Sequence, residues 1–243
     1  MKHPNKLLQL LRDNAAADAP RALRADASGA DLHVYVYDVI DPWYGASADG
    51  LIKALAGAAD STVHLHINSP GGDVFEARAM SAALVAHAGQ VVAHIDGVAA
   101  SAATYLAMAA NEVRITDGGM VMVHNSWTIA YGDKTELRAT ADLLDKIDQS
   151  IAADYAKKTG KTLEQMHAWM DAETWFSAAE ALDAGLVDAI DPNSKADSKN
   201  SAQWNLSAYA NAPKPQDPAP DIAALAAAQQ QRNRNRLRLL TPV

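Results

Sequence analysis

Asp96-Gly97-Val98-Ala99-Ala100-Ser101-Ala102-Ala103 is a run of small residues around one hydroxyl. Before it, Val91-Val92-Ala93-His94-Ile95 reads as a short apolar strand. After it, Ala102 to Ala110 is rich in helix formers. Ser101 is therefore expected at a strand-to-helix junction, where free backbone N–H groups point outward. A serine hydroxyl is a weak nucleophile until a base removes its proton. The small neighbours Gly97, Ala99, Ala100, Ala102 and Ala103 leave room for a bulky acyl group. Read alone, the segment also fits a small residue at a tight helix contact.

Two further pieces change that balance. His64-Leu65-His66-Ile67 reads as a strand, Asn68-Ser69-Pro70-Gly71-Gly72 as a sharp turn, and Val74 to Val85 as a helix. The Gly72 amide can face a ligand with no side chain in the way. A backbone donor aimed at developing negative charge is commonly worth about 10²–10³ in rate. Met120-Val121-Met122-Val123 reads as a buried strand, and His124 follows it before polar Asn125-Ser126. Nucleophile, oxyanion amides and base together point to a serine peptidase. Of the eight histidines, His33, His64, His66, His87, His94 and His167 are expected at the surface or in structural roles.

The three blocks Ile67 to Gly72, Gly97 to Ser101 and Met122 to His124 resemble the signature blocks of the Clp protease proteolytic subunit (ClpP) family. The resemblance covers about Val34 to Ile190 and continues through Phe176-Ser177-Ala178-Ala179-Glu180-Ala181 and Gly185-Leu186-Val187-Asp188. Four stretches resemble its phage and prophage branch, the head maturation proteases: Asn14-Ala15-Ala16, Tyr35 to Asp41, Gly71 to Glu76 and Glu173 to Phe176. The resemblance implies an α/β chain of the ClpP/crotonase-like fold, with repeated βαβ units in a spiral and a largely parallel sheet. It implies Ser101 as nucleophile, His124 as general base, and the amides of Gly72 and Ala102 as the oxyanion hole. The family's third triad member, an aspartate, lies two residues before the phenylalanine that is Phe176 here. That position is Thr174, with Glu173 and Asp171 as substitutes after a local shift. A threonine hydroxyl can accept a bond from the ring but brings no charge to stabilise the imidazolium.

Composition is consistent with this expectation. The 243 residues suffice for one domain with tails, and 49% are hydrophobic. A net charge of −8 argues against a nucleic-acid partner. There is no cysteine, hence no disulfide scaffold and no thiol nucleophile. No HExxH-like pair suggests a metal, and neither metal nor organic cofactor is expected. The start, Met1 to Leu8, is too poor in apolar residues for a signal peptide, and no stretch approaches a membrane span. A cytoplasmic protein with no membrane partner is the expectation.

The chain divides into an N-terminal segment (1–30), a peptidase domain (31–190) and a linker with C-terminal tail (191–243). Residues 6–12 read as a short basic helix, followed by an Ala/Asp/Gly linker. Strands are expected near 33–38, 63–67 and 91–95, and helices near 47–58, 74–87 and 101–110. Such alternation implies βαβ units. Pro213, Pro215, Pro218 and Pro220 mark a linker, residues 221–240 suit a helix, and Arg232 to Arg238 carries four arginines and no acid. Between Gly132 and Gly160, Asp133 and Glu136 form a capping-box pattern. Leu137, Ala141, Leu144, Ile147, Ile151 and Tyr155 then make an apolar stripe that suits packing within the subunit or between subunits. By the resemblance it corresponds to the handle that interlocks two homo-oligomeric rings. The expected activity is endopeptidase cleavage of protein or peptide substrates, with phage capsid or scaffold protein as the target. There is no Walker A sequence, so any ATP dependence needs a separate ATPase. The alternatives are a non-catalytic assembly protein that keeps the fold and a crotonase-type acyl-CoA enzyme.

Overall fold

The computed structural model describes residues 6–14, 23–29, 31–191 and 204–213. The expected helix at 221–240 and the arginine run at 232–238 lie outside the described residues. Helix α1 (Lys6–Asn14) precedes a hairpin of β1 (Arg24–Ser28) and β2 (Asp31–Val36). Then come α2 (Ala48–Leu55), β3 (Val63–Ser69), α3 (Val74–Val85), β4 (Val91–Ala100), α4 (Ala102–Ala107) and β5 (Glu112–Thr116). The remainder is β6 (Met120–Val123), α5 (Lys134–Thr159), α6 (Leu163–Asp171), β7 (Thr174–Ser177), α7 (Ala178–Ala184) and β8 (Ala189–Asp191). Strands β2, β3, β4, β5 and β8 are parallel, as the βαβ alternation predicts, and β1 adds an antiparallel edge. That edge strand falls where the sequence reads as linker.

Strand β4 forks the sheet. Its first half, Val92 to Ile95, pairs with β5, and its last three residues pair with β6. The two halves are separated by a register shift against β3. At the shift the Val98 N–H donates to Asn68 Oδ1 at 3.2 Å, and a Cβ on Gly97 would stand 2.8 Å from that same oxygen. The asparagine thus replaces a ladder bond, and glycine is the residue that leaves it space. Beyond the shift, Ala99 and Ala100 are fully buried and carry the chain to Ser101.

The inner faces of β2, β3 and β4 pack through Val34, Leu65, Ile67, Ala93 and Ile95 against Leu51, Met80 and Leu106 of the helices. Strand alternation turns His33, Tyr35, His64, His66, His94 and Asp96 to the opposite face, where all are half-buried. The four histidines form one array. His33 Nδ1 lies 3.1 Å from His66 Nε2, and His64 Nδ1 lies 2.9 Å from His94 Nε2. His66 Nδ1 donates to Asp96 at 2.8 Å, and Asp96 also accepts from Tyr37. The rings of His33 and His64 stack at 4.7 Å, and those of His66 and His94 at 4.8 Å. The expectation of structural histidines holds for these four.

Helix α5 begins with the expected capping box and ends on Gly160 in the left-handed region. Its apolar stripe divides. Ile147, Ile151 and Tyr155 are buried within this chain, Leu144 is half-buried, and Leu137 is 46% exposed. Only the first turns of the helix are thus left free for a neighbour, because the later turns already cover the core of their own subunit.

The histidine array makes stability depend on pH. Burial, then the neighbouring His66 and His64, hold His94 down to about 4 against the pull of Asp96 and Asp191. The unfolded chain takes up that proton nearer its ordinary value of 6.5, so His94 favours the fold fully above pH 6.5. That advantage is lost as pH falls from 6.5 towards 4. The thermal midpoint should drop over this range, and His94→Gln should flatten the slope. Equal slopes in parent and variant would contradict the assignment.

Candidate active site

Ser101 sits between β4 and α4 with φ 57° and ψ −121°, a conformation that is strained for any residue with a side chain. Its surroundings enforce it. The Ser101 N–H donates to Met122 O at 2.9 Å, and the Tyr105 N–H donates to Ser101 O at 3.1 Å. The buried Thr104 hydroxyl reaches both Ala99 O (2.6 Å) and Met122 O (2.7 Å). Strand β6 therefore holds both sides of the junction.

His124 follows β6, and its Nε2 stands 2.7 Å from Ser101 Oγ. Desolvation, then the charge of Lys6, lowers the imidazole to about 3. It is neutral at physiological pH, as a proton acceptor must be. Trp127 and Tyr209 meet its ring edge-on, at 4.5 and 5.3 Å between centroids.

The glycine turn lies against the same serine. Gly71 has φ 91°, and a Cβ there would stand 2.5 Å from Ala100 O and 2.9 Å from Ser101 Cβ. Only glycine allows that approach. The turn is anchored on the other side by Ile40, whose N–H donates to Gly71 O and whose carbonyl accepts from the Asp73 N–H. Among the described residues, the amides of Gly72 and Ala102 have no backbone or side-chain acceptor. Gly72 and Ser101 line one cavity of about 210 Å³ with His124, Val74, Phe75 and Leu144.

The third position is built differently from the expectation. Thr174 pairs with Val123 and its hydroxyl donates to Trp169 O at 2.8 Å. Alternation explains this: Val121, Val123 and Phe176 face the main core, while Met122 and Trp175 face the side where His124 lies. Thr174 thus lies on the face opposite His124. Glu173 accepts from the Ala210 and Asn211 N–H groups at 3.0 and 2.6 Å, and Asp171 accepts from Asn125 at 2.8 Å. Among the described residues no carboxylate lies within 4.0 Å of the His124 ring nitrogens.

One element of the site is absent from the sequence reading. Residues 204–213, read as linker, pack beside the base: Ala208 and Tyr209 are buried with Leu10, Val98, Ala100 and Met122. The signal was available in Trp204 and Tyr209, two aromatics in a polar, proline-rich stretch.

A sequence profile of the Clp protease family matches residues 41–194. The chain belongs to the Clp protease family. Subunit 1 of the ATP-dependent Clp protease proteolytic component of Leifsonia xyli subsp. xyli is 33% identical over 140 residues, covering 56% of this chain and 71% of the relative. Subunit 3 of Streptomyces avermitilis is 28% identical over 161 residues, covering 65% and 74%. Subunit 2 of Bifidobacterium longum is 28% identical over 130 residues, covering 53% and 63%. The mixed α/β architecture with its mostly parallel sheet is that of the family. No helix among the described residues is long and apolar enough to cross a membrane.

Thr174→Val should therefore affect stability and leave catalysis alone. It leaves the Trp169 carbonyl without this donor, at a cost of about 1 kcal/mol. Chemical denaturation should show that loss, and kcat/KM for a peptide should stay at the parent value. A large fall in kcat/KM with unchanged stability would restore Thr174 as the third catalytic member.

Proposed function

We propose that this chain is a serine endopeptidase that cleaves peptide bonds through an acyl-enzyme. The observation that carries the proposal is the 2.7 Å contact between Ser101 Oγ and His124 Nε2 beside two amides that have no acceptor among the described residues. In this reading His124 takes the hydroxyl proton as Ser101 attacks the scissile carbonyl. The oxyanion is received by the Gly72 and Ala102 N–H groups. His124 then gives the proton to the leaving amine, and water repeats the cycle on the ester. The cavity walls of Val74, Phe75, Leu143, Leu144, Ile147 and Trp127 favour an apolar substrate side chain next to the cleaved bond.

The family membership supports assembly into homo-oligomeric rings in the cytoplasm and work with a separate ATPase. The exposed first turns of α5 are the available ring contact. For substrate we propose phage capsid or scaffold protein, on the sequence resemblance of Glu173 to Phe176 and the related stretches alone. A second reading, a non-catalytic assembly protein, draws support from the lack of a carboxylate at His124 among the described residues.

Fluorophosphonate labelling separates the two readings. The parent protein should label at Ser101 and hydrolyse peptides with an apolar residue before the cleaved bond. Ser101→Ala should lose both and keep its assembly state, since one hydroxyl is a small part of the fold. Absence of labelling in folded, assembled parent protein would favour the assembly reading.

A further inference from the structure

We propose that Tyr209 is a positioning residue of this active site, joining the oxyanion turn to the face of His124. The proposal rests on the peptidase reading. It concerns a part of the site that neither the family blocks nor the catalytic pair includes.

Tyr209 is firmly placed. Its segment is clamped at one end by Asn205, whose N–H donates to Asn14 Oδ1 at 2.7 Å, while Asn14 Nδ2 donates to Asn205 O at 2.9 Å. Trp204 Nε1 donates to Asn68 Oδ1, the oxygen that also receives Val98 N–H at the register shift. At the other end Glu173 accepts the amides of Ala210 and Asn211. Between these clamps the Tyr209 ring packs against His124 at 5.3 Å, Trp127 at 5.0 Å and Trp175 at 5.8 Å. Its hydroxyl donates to Pro70 O at 2.5 Å. Burial pushes the phenol well above its ordinary value, so it stays a protonated donor in any working buffer.

These contacts reach both halves of the machinery. The Pro70 carbonyl belongs to the peptide that leads into Gly71 and Gly72, so fixing it orients the turn that presents the Gly72 amide. The ring also limits rotation of an imidazole that no carboxylate among the described residues holds from behind. Tyr209 is not a plug: the cavity beside Ser101 remains, with Tyr209 in its wall.

The test uses the full chain, peptide kinetics, and NMR of labelled histidine with His124 assigned by its loss in His124→Gln. Tyr209→Phe keeps the ring and removes the hydroxyl, with its bond to Pro70 O and its interaction with the Ser101 side chain. It should lower kcat about tenfold, with KM and the His124 titration unchanged. Tyr209→Ala should lower kcat further and move the His124 titration up towards 6.5 as water reaches the ring. Parent-like kcat in both variants, or an unmoved His124 titration in Tyr209→Ala, would overturn the proposal. So would faster turnover in Tyr209→Ala, which would make the segment an obstruction. If the parent hydrolyses no peptide, the histidine titration still reads the contact: a shift upholds the hold of Tyr209 on His124 while the peptidase reading falls.

Discussion

The strained peptide at Ser101 is the constraint around which the fold is arranged. A non-glycine residue at φ 57° and ψ −121° persists only where its neighbours over-determine it. Here the fork in β4 does so. The strand leaves its β5 partner after Ile95, shifts register at Gly97, and takes β6 as its new neighbour. Met122 O on β6 accepts both the Ser101 N–H and the Thr104 hydroxyl. The strand that delivers His124 is thus the strand that fixes the serine, and their 2.7 Å contact is set by sheet register more than by side-chain freedom.

The same geometry explains why the base is neutral. His124 is 9% exposed and walled by Trp127 and Tyr209, and the charge of Lys6 acts on it. Desolvation and a nearby cation both oppose protonation. A buried carboxylate would pull the other way and would need its own hydrogen bonds. The acids close in sequence are occupied elsewhere: Glu173 holds residues 210 and 211, and Asp171 holds Asn125. In the proposed mechanism the imidazolium must then be stabilised by geometry and by the oxyanion it pairs with, which places the burden on rigid positioning.

Much of this was legible in the sequence because the signals are local. Small residues on both sides of Ser101 report a junction, Pro70-Gly71-Gly72 reports a turn that excludes Cβ atoms, and the order of strands and helices reports parallel βαβ units. What stayed hidden depends on pairing between distant segments. Counting from Phe176 identifies Thr174 but not the face it takes, which is decided by its pairing with Val123 across a 51-residue separation. Strand β1 has too little apolar character to stand out, and all five of its residues are exposed. Residues 204–213 look like linker by composition, and their docking depends on α1 supplying Leu10 and Asn14 from the other end of the chain. The stripe on α5 was visible, but periodicity cannot say whether a stripe faces its own core or a neighbour's.

The histidine array shows how one set of strands serves two purposes. Parallel sheets usually carry helices on both faces, because an uncovered apolar face is costly. Here Leu65 and Ile67 of β3 face the helices, while His64 and His66 of the same strand face outward beside His33 and His94. Stacked rings bury one another's apolar faces, and their nitrogens bond to each other and to Asp96 instead of requiring a covering helix. At each ring-to-ring contact one nitrogen must accept, so the two rings of a bonded pair cannot both carry a proton on both nitrogens. This polar layer lies on β3 and β4 directly before the register shift at Asn68 and Gly97. The same strand β4 then takes β6 as its partner and ends at Ser101, so the array, the fork and the strained serine share one length of backbone.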